Sequence, residues 1–96
     1  MGADDIIAVL RDNRKDIDKY GVDSIGLFGS YGKGEQTANS DVDILVKFNK
    51  ERKTFDNYMD LKFYLEDLLG KKVDLIIAEN IKMELRNEIL GSVKYA

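Results

Sequence analysis

The segment Asp41–Phe48, DVDILVKF, alternates without a break. Val42, Ile44, Val46 and Phe48 fall on one side; Asp41, Asp43, Leu45 and Lys47 fall on the other. Residues i and i+2 share a face of a strand, so the segment reads as a half-buried strand whose apolar side fixes its register. The same parity points both carboxylates one way. Two like charges so close repel, and neither can be buried without compensation. A divalent cation supplies that compensation. Taken alone, an Asp-x-Asp pair is most often two solvated acids on an edge strand; here the fixed register and a glycine-rich turn a few residues upstream argue for more.

The rest of the chain supplies partners for that strand. Ile6, Ile7, Leu10 and Ile17 fall at helical spacing between Asp4 and Tyr20, with Asp4 or Asp5 to cap the start and Gly21 to end it. Val22–Phe28 reads as a strand carrying Ile25 and Leu27. Gly29–Gly34 is a glycine-rich turn with room for one helical turn, and Glu35–Ser40 is a polar loop. After the charged turn Asn49–Lys53, Thr54 caps a helix running to Leu69, with Phe55, Tyr58, Leu61, Leu65 and Leu68 on one face and Gly70 just past its end. Lys72–Ala78 is a third strand. Asn80 caps a last helix, Ile81–Leu90, closed by Gly91, whose Met83, Leu85, Ile89 and Leu90 are expected to pack on the sheet. Val93–Tyr95 adds a short terminal strand. The order α-β-turn-β-α-β-α predicts an α/β (α+β) fold, a small mixed β-sheet with helices packed against it, over a single domain of residues 1–96.

Composition narrows the chemistry. Histidine and cysteine are absent, which removes Ser-His-Asp and Cys-His catalysis, zinc fingers and thiol redox chemistry. Any metal held by side chains must then sit on oxygen donors, as Mg²⁺, Mn²⁺ or Ca²⁺ do. The net charge of −3 disfavours general binding to duplex nucleic acid. No apolar run is long enough to span a bilayer, and Met1–Asp5 has no signal-peptide character; together with the absence of cysteine these features point to the cytoplasm.

Two further features join the aspartate pair. Gly29-Ser30-Tyr31-Gly32-Lys33-Gly34 directly follows a strand. Glycines there let backbone approach a ligand closely, exposed N–H groups can cradle phosphate, and the Ser30 hydroxyl adds a donor. It is not a Walker A loop, because no GK[ST] follows, and by itself it is most often a tight turn. The other feature is Asp74, inside the apolar run Val73-Asp74-Leu75-Ile76-Ile77. Aspartate is disfavoured inside strands, so it calls for a cation, a lysine or arginine, or backbone donors. If its strand lies beside Asp41–Phe48, three carboxylates converge near a phosphate-binding turn, the arrangement of a two-metal phosphoryl or nucleotidyl transfer site.

The segment GSYGKGEQTANSDVDILV resembles the Gly-Ser, ten-residue gap, Asp-x-Asp motif of the nucleotidyltransferase superfamily with the polymerase-beta-like fold, and most of all the minimal nucleotidyltransferases, or MNT proteins. The resemblance covers nearly the whole chain, with the third acid in the next main strand. Gly32-Lys33 stands where many relatives carry Ala-Arg; lysine keeps the charge but not the planar fork.

The resemblance implies that Gly29 and Ser30 hold the phosphates of ATP, with Lys33 in the same nucleotide-binding turn. It implies that Asp41, Asp43 and Asp74 are catalytic and ligate two Mg²⁺ ions, Asp74 also helping to deprotonate an acceptor hydroxyl. It further implies an antitoxin that transfers AMP to a tyrosine of a HEPN-domain ribonuclease toxin. Larger relatives shape the acceptor site with a second domain; in this chain another subunit or the acceptor itself is expected to supply that surface. The alternatives are a small-molecule nucleotidyltransferase of the aminoglycoside-modifying type working as an oligomer, and an antitoxin that only binds. A catalytically silent structural domain fits the acid triad poorly.

Overall fold

The computed structural model describes residues 2–37 and 39–96. Ala38, within the expected polar loop, lies outside the described residues, as does Met1. In chain order the elements are α1 (Ala3–Asp12), α2 (Arg14–Asp18), β1 (Val22–Phe28), α3 (Gly29–Lys33), β2 (Val42–Phe48), α4 (Phe55–Leu69), β3 (Val73–Ile77), α5 (Met83–Ser92) and β4 (Lys94–Tyr95), with 3₁₀ turns at Lys50–Arg52 and Ala78–Asn80. The strands form one sheet in the order β3-β2-β1-β4. β1 is antiparallel to both β2 and β4, while β2 and β3 run parallel through the α4 crossover. This is the small mixed sheet with packed helices that the pattern predicts.

One face of the sheet makes the core. Val42, Ile44, Val46 and Phe48 of β2 are all buried and cluster with Ile6, Leu10 and Ile17 from α1 and α2 and with Leu61 and Leu65 of α4. Burying each such side chain is worth about 1.5–3 kcal/mol, which is why register is not free to slip. β1 departs from simple alternation. Its pairing with β2 shifts between Val22 and Ser24, and this bulge lets Val22, Ile25 and Leu27 all reach the core.

The first helix is expected as one piece over Asp4–Tyr20 but is two. Asn13 adopts φ −108°, ψ 18° and its side-chain amide donates to the Val9 carbonyl at 2.9 Å. A short polar side chain competing for a backbone carbonyl ends α1 there, and α2 restarts on the far side. The last helix also differs. It begins at Met83 rather than Ile81, because Ala78–Asn80 forms a 3₁₀ turn and Ile81 is extended and buried. Gly91 lies inside it. Of the residues expected to pack on the sheet, Met83, Leu85 and Leu90 are exposed and Ile89 is only half-buried; no residue of α5 is buried.

The second face of the sheet carries Asp43, Leu45 and Lys47 from β2. Leu45 and Ile81 are buried there, outside the main core cluster, and the Ala78–Asn80 turn packs on β2. Gly26, opposite Leu45 in the register, has no room for a Cβ because Val93 and Tyr95 press on it. The rest of this face, toward the start of β2, is open.

Candidate active site

At that open end three chain segments meet. Asp43 is the direct register partner of Asp74 on one side and of Phe28 on the other. Parallel neighbours lie about 4.8 Å apart, so the two carboxylates leave adjacent strands on one face. Gly29 follows Phe28 and turns the chain into α3 with φ +67°. A Cβ on Gly29 would overlap the Asp43 carboxylate, lying 2.9 Å from its Cγ. The glycine is therefore required twice, for its left-handed backbone and for the space that the aspartate occupies. The turn predicted to cradle a ligand also gives room to the Asp43 carboxylate.

The charges are not balanced. Asp43 is half-buried, and its carboxyl is held above the ordinary value of 3.8 by burial first, then by the Asp74 charge, then by that of Asp41. Asp41 sits one residue before β2 and is exposed; Asp74 is exposed. Among the described residues no salt bridge reaches any of the three. Asp74 therefore does not have the lysine partner that would give it a purely structural role. Ser30, in the first turn of α3, is half-buried and its carbonyl accepts from the Glu35 N–H at 2.8 Å. Lys33 is exposed at the end of α3.

Among the described residues no three acidic side chains stand as a ready-made metal cage. The donor set nonetheless fits a divalent cation: every donor is a carboxylate oxygen, and Asp43 is destabilised in its charged form by burial and by two neighbours of the same sign. A bound cation relieves both.

Two residues of the neighbourhood were read from the sequence as helix packing or not singled out. The hydroxyl of Tyr58 in α4 donates to the Leu75 carbonyl at 2.7 Å, and the Glu66 carboxylate accepts from the Val73 N–H at 3.0 Å. Helical spacing put Tyr58 among the α4 packing residues, and nothing local marks Glu66; only the docking of α4 on β3 shows what their polar ends do.

Comparison with known proteins agrees with this geometry. The protein adenylyltransferase MntA of Thermococcus cleftensis is 39% identical over 93 residues, covering 96% of this chain and 93% of that protein. A solved structure assigned as a minimal nucleotidyltransferase superposes with a TM-score of 0.84 at 30% identity, covering 98% of this chain and 95% of its own. A complex of a tri-AMPylated Shewanella oneidensis HEPN toxin with its MNT antitoxin contains a chain that is 26% identical, with a TM-score of 0.58, covering 97% of this chain and 66% of its own. Residues 7–96 match the nucleotidyltransferase domain across all four strands and the acidic end of the sheet, and the chain belongs to that family.

Proposed function

We propose that this chain, acting as one domain over residues 1–96 in the cytoplasm, transfers AMP from ATP to a tyrosine hydroxyl of a HEPN-type ribonuclease toxin and so serves as its antitoxin. The observation that carries the reading is the half-buried Asp43, uncompensated, set between Asp74 and a glycine with no room for a side chain. A fold does not keep such a cluster for stability. The names of the relatives supply the acceptor class.

In this reading Gly29 lets the nucleotide phosphates approach the backbone, the Ser30 hydroxyl donates to a phosphate oxygen, and Lys33 offers positive charge at the end of the same turn. Asp41, Asp43 and Asp74 would hold Mg²⁺. When bound, Mg²⁺ neutralises charge on the phosphates and aligns an in-line displacement. Asp74 accepts the proton of the acceptor hydroxyl. The acceptor oxygen bonds to the α-phosphorus, the bond from that phosphorus to the bridging oxygen breaks, and pyrophosphate leaves.

The acceptor protein docks beside α5. This helix touches α3 and exposes Met83 at 83%, Leu85 at 48% and Leu90 at 43%, apolar surface that a soluble helix normally hides. Docking there brings a tyrosine to the nucleotide by proximity.

The test is mass spectrometry of the cognate HEPN toxin after incubation with this protein and Mg-ATP. The toxin should gain the mass of one or more AMP groups on tyrosine, and Asp43→Asn should abolish the gain. If Asp43→Asn neutralises the toxin as well as wild type, with no added mass in either case, the protein is an antitoxin that only binds.

A further inference from the structure

We propose that Glu66 and Tyr58 are positioning residues that hold Asp74 in register opposite Asp43. β2 is held on both sides by neighbouring strands, but β3 is the edge of the sheet, with one strand neighbour. The Val42 N–H donates to the Lys72 carbonyl, so in this parallel ladder residues 72, 74 and 76 turn their backbone groups toward β2. Val73, Leu75 and Ile77 turn theirs outward. Edge groups of this kind are normally solvated and free to move.

Here two of the four outward groups on the residues flanking Asp74 are taken up by α4, one on each side. The Val73 N–H is bound by the Glu66 carboxylate and the Leu75 carbonyl by the Tyr58 hydroxyl. Asp74 itself is tied to β2 from within. Its segment is thus gripped from both edges, although Asp43 directly opposite carries the same charge. Repulsion between the two would displace the strand with fewer restraints, and that strand is β3.

The cover is not a general protection of the edge. At Ile77, the next outward position, no side chain of the described residues makes a hydrogen bond. That end of β3 instead borders a cavity of about 440 Å³, lined by Thr54, Phe55, Tyr58, Ile77 and Asn80 among others. α4 thus gives one polar side chain to each residue flanking Asp74 and none to Ile77.

This inference rests on the transferase reading, in which Asp74 holds the cation, and it is tested by a measurement that does not need turnover. Free Mn²⁺ is counted by electron paramagnetic resonance while the full chain is titrated in the presence of a non-hydrolysable ATP analogue. Glu66→Ala should raise the half-saturating Mn²⁺ concentration about tenfold, the loss expected of a hydrogen bond to a charged group. Tyr58→Phe should raise it about threefold, the weaker loss expected of a neutral hydrogen bond. Glu66→Gln keeps an oxygen acceptor for the Val73 N–H and should bind like wild type. At saturating metal, kcat for Glu66→Ala should recover most of its wild-type value, so that the defect lies in the metal requirement.

If Glu66→Ala and Tyr58→Phe lower the melting temperature but leave the Mn²⁺ midpoint unchanged, the two bonds only protect an edge and the inference is wrong. It is equally overturned if Glu66→Gln is as impaired as Glu66→Ala. Failure of the wild-type protein itself to take up Mn²⁺ with the analogue would instead sink the transferase reading.

Discussion

The two ends of the β2–β3 pair treat acidic side chains in opposite ways. At one end Asp43 faces Asp74 with Asp41 nearby, and the carboxyl of Asp43 is pushed up by burial and by both neighbours. At the other end Glu79 accepts a hydrogen bond from Lys53 at 2.9 Å, with Lys47 and Lys50 also close, and its carboxyl is held below the ordinary range, the Lys53 hydrogen bond contributing most. The far end is balanced by the chain itself. The near end is left for something else to balance. One sheet thus shows a satisfied carboxylate at one end and an uncompensated one at the other, the end on which the proposed function rests.

The comparison is broken most severely by Asp43→Asn. Transfer should fall by about three orders of magnitude, or ~4 kcal/mol at 1.4 kcal/mol per decade, measured as AMP incorporated into the toxin. The same variant removes the repulsion, so in EDTA it should melt a few degrees above wild type, each kcal/mol being worth ~4–8 °C in a domain of this size. A metal-free protein that melts lower as Asp43→Asn would show that Asp43 is a satisfied structural residue after all.

Gly29→Ala comes next. A left-handed backbone with a Cβ costs about 1–2 kcal/mol, and the added methyl overlaps the Asp43 carboxylate. We expect a lower denaturation midpoint together with at least about a hundredfold loss of transfer, since small displacements in a positioned site carry large rate costs. Gly34 also has positive φ, +73°, but open space around its absent Cβ. Gly34→Ala should therefore show only the backbone cost, and equal damage from both would sink the clearance argument.

A smaller effect is set by pH. Because the folded protein raises Asp43 above 3.8, the native state holds that proton more tightly than the unfolded chain. The contribution to stability is favourable below the unfolded value and is lost as pH rises through the folded value. The melting difference between Asp43→Asn and wild type in EDTA should therefore widen with rising pH across that window and then level off. A difference that stays constant from acid to neutral pH would remove the titration of Asp43 as its cause.

The far end should respond least. Lys53→Ala breaks an ion pair whose partners are about one-third and one-half exposed; such pairs contribute little and fade with salt. Chemical denaturation should show only a small loss of stability, with transfer unchanged. A loss as large as that of Gly29→Ala would mean that the two ends are not independent.

Much of the molecule can be read locally. Val42, Ile44, Val46 and Phe48 announce a buried strand face, Thr54 and Gly70 bracket α4 as predicted, and the spacing of Gly29-Ser30 and Asp41-Asp43 carries the family resemblance. Other features are misread for stated reasons. Asn13 interrupts a helix because its amide competes for the Val9 carbonyl, an event that apolar periodicity does not register. Met83, Leu85 and Leu90 of α5 look like core but are exposed, a difference that apolar spacing along one helix does not register.

What the sequence determined by itself was parity and chemical type. A period of two put Asp41 and Asp43 on one face, the absence of histidine and cysteine left oxygen donors alone, and Asp74 stood out as an acid within an apolar strand. What only the tertiary structure decided was adjacency across strands. It brought Asp43 opposite Asp74, pressed Gly29 against the Asp43 carboxylate, and closed Glu66 and Tyr58 around the residues flanking Asp74. Local pattern follows from the geometry of one strand or one helix. Which carboxylate meets which neighbour depends on the register between segments far apart in the chain, and that register is set by the packing of the whole core.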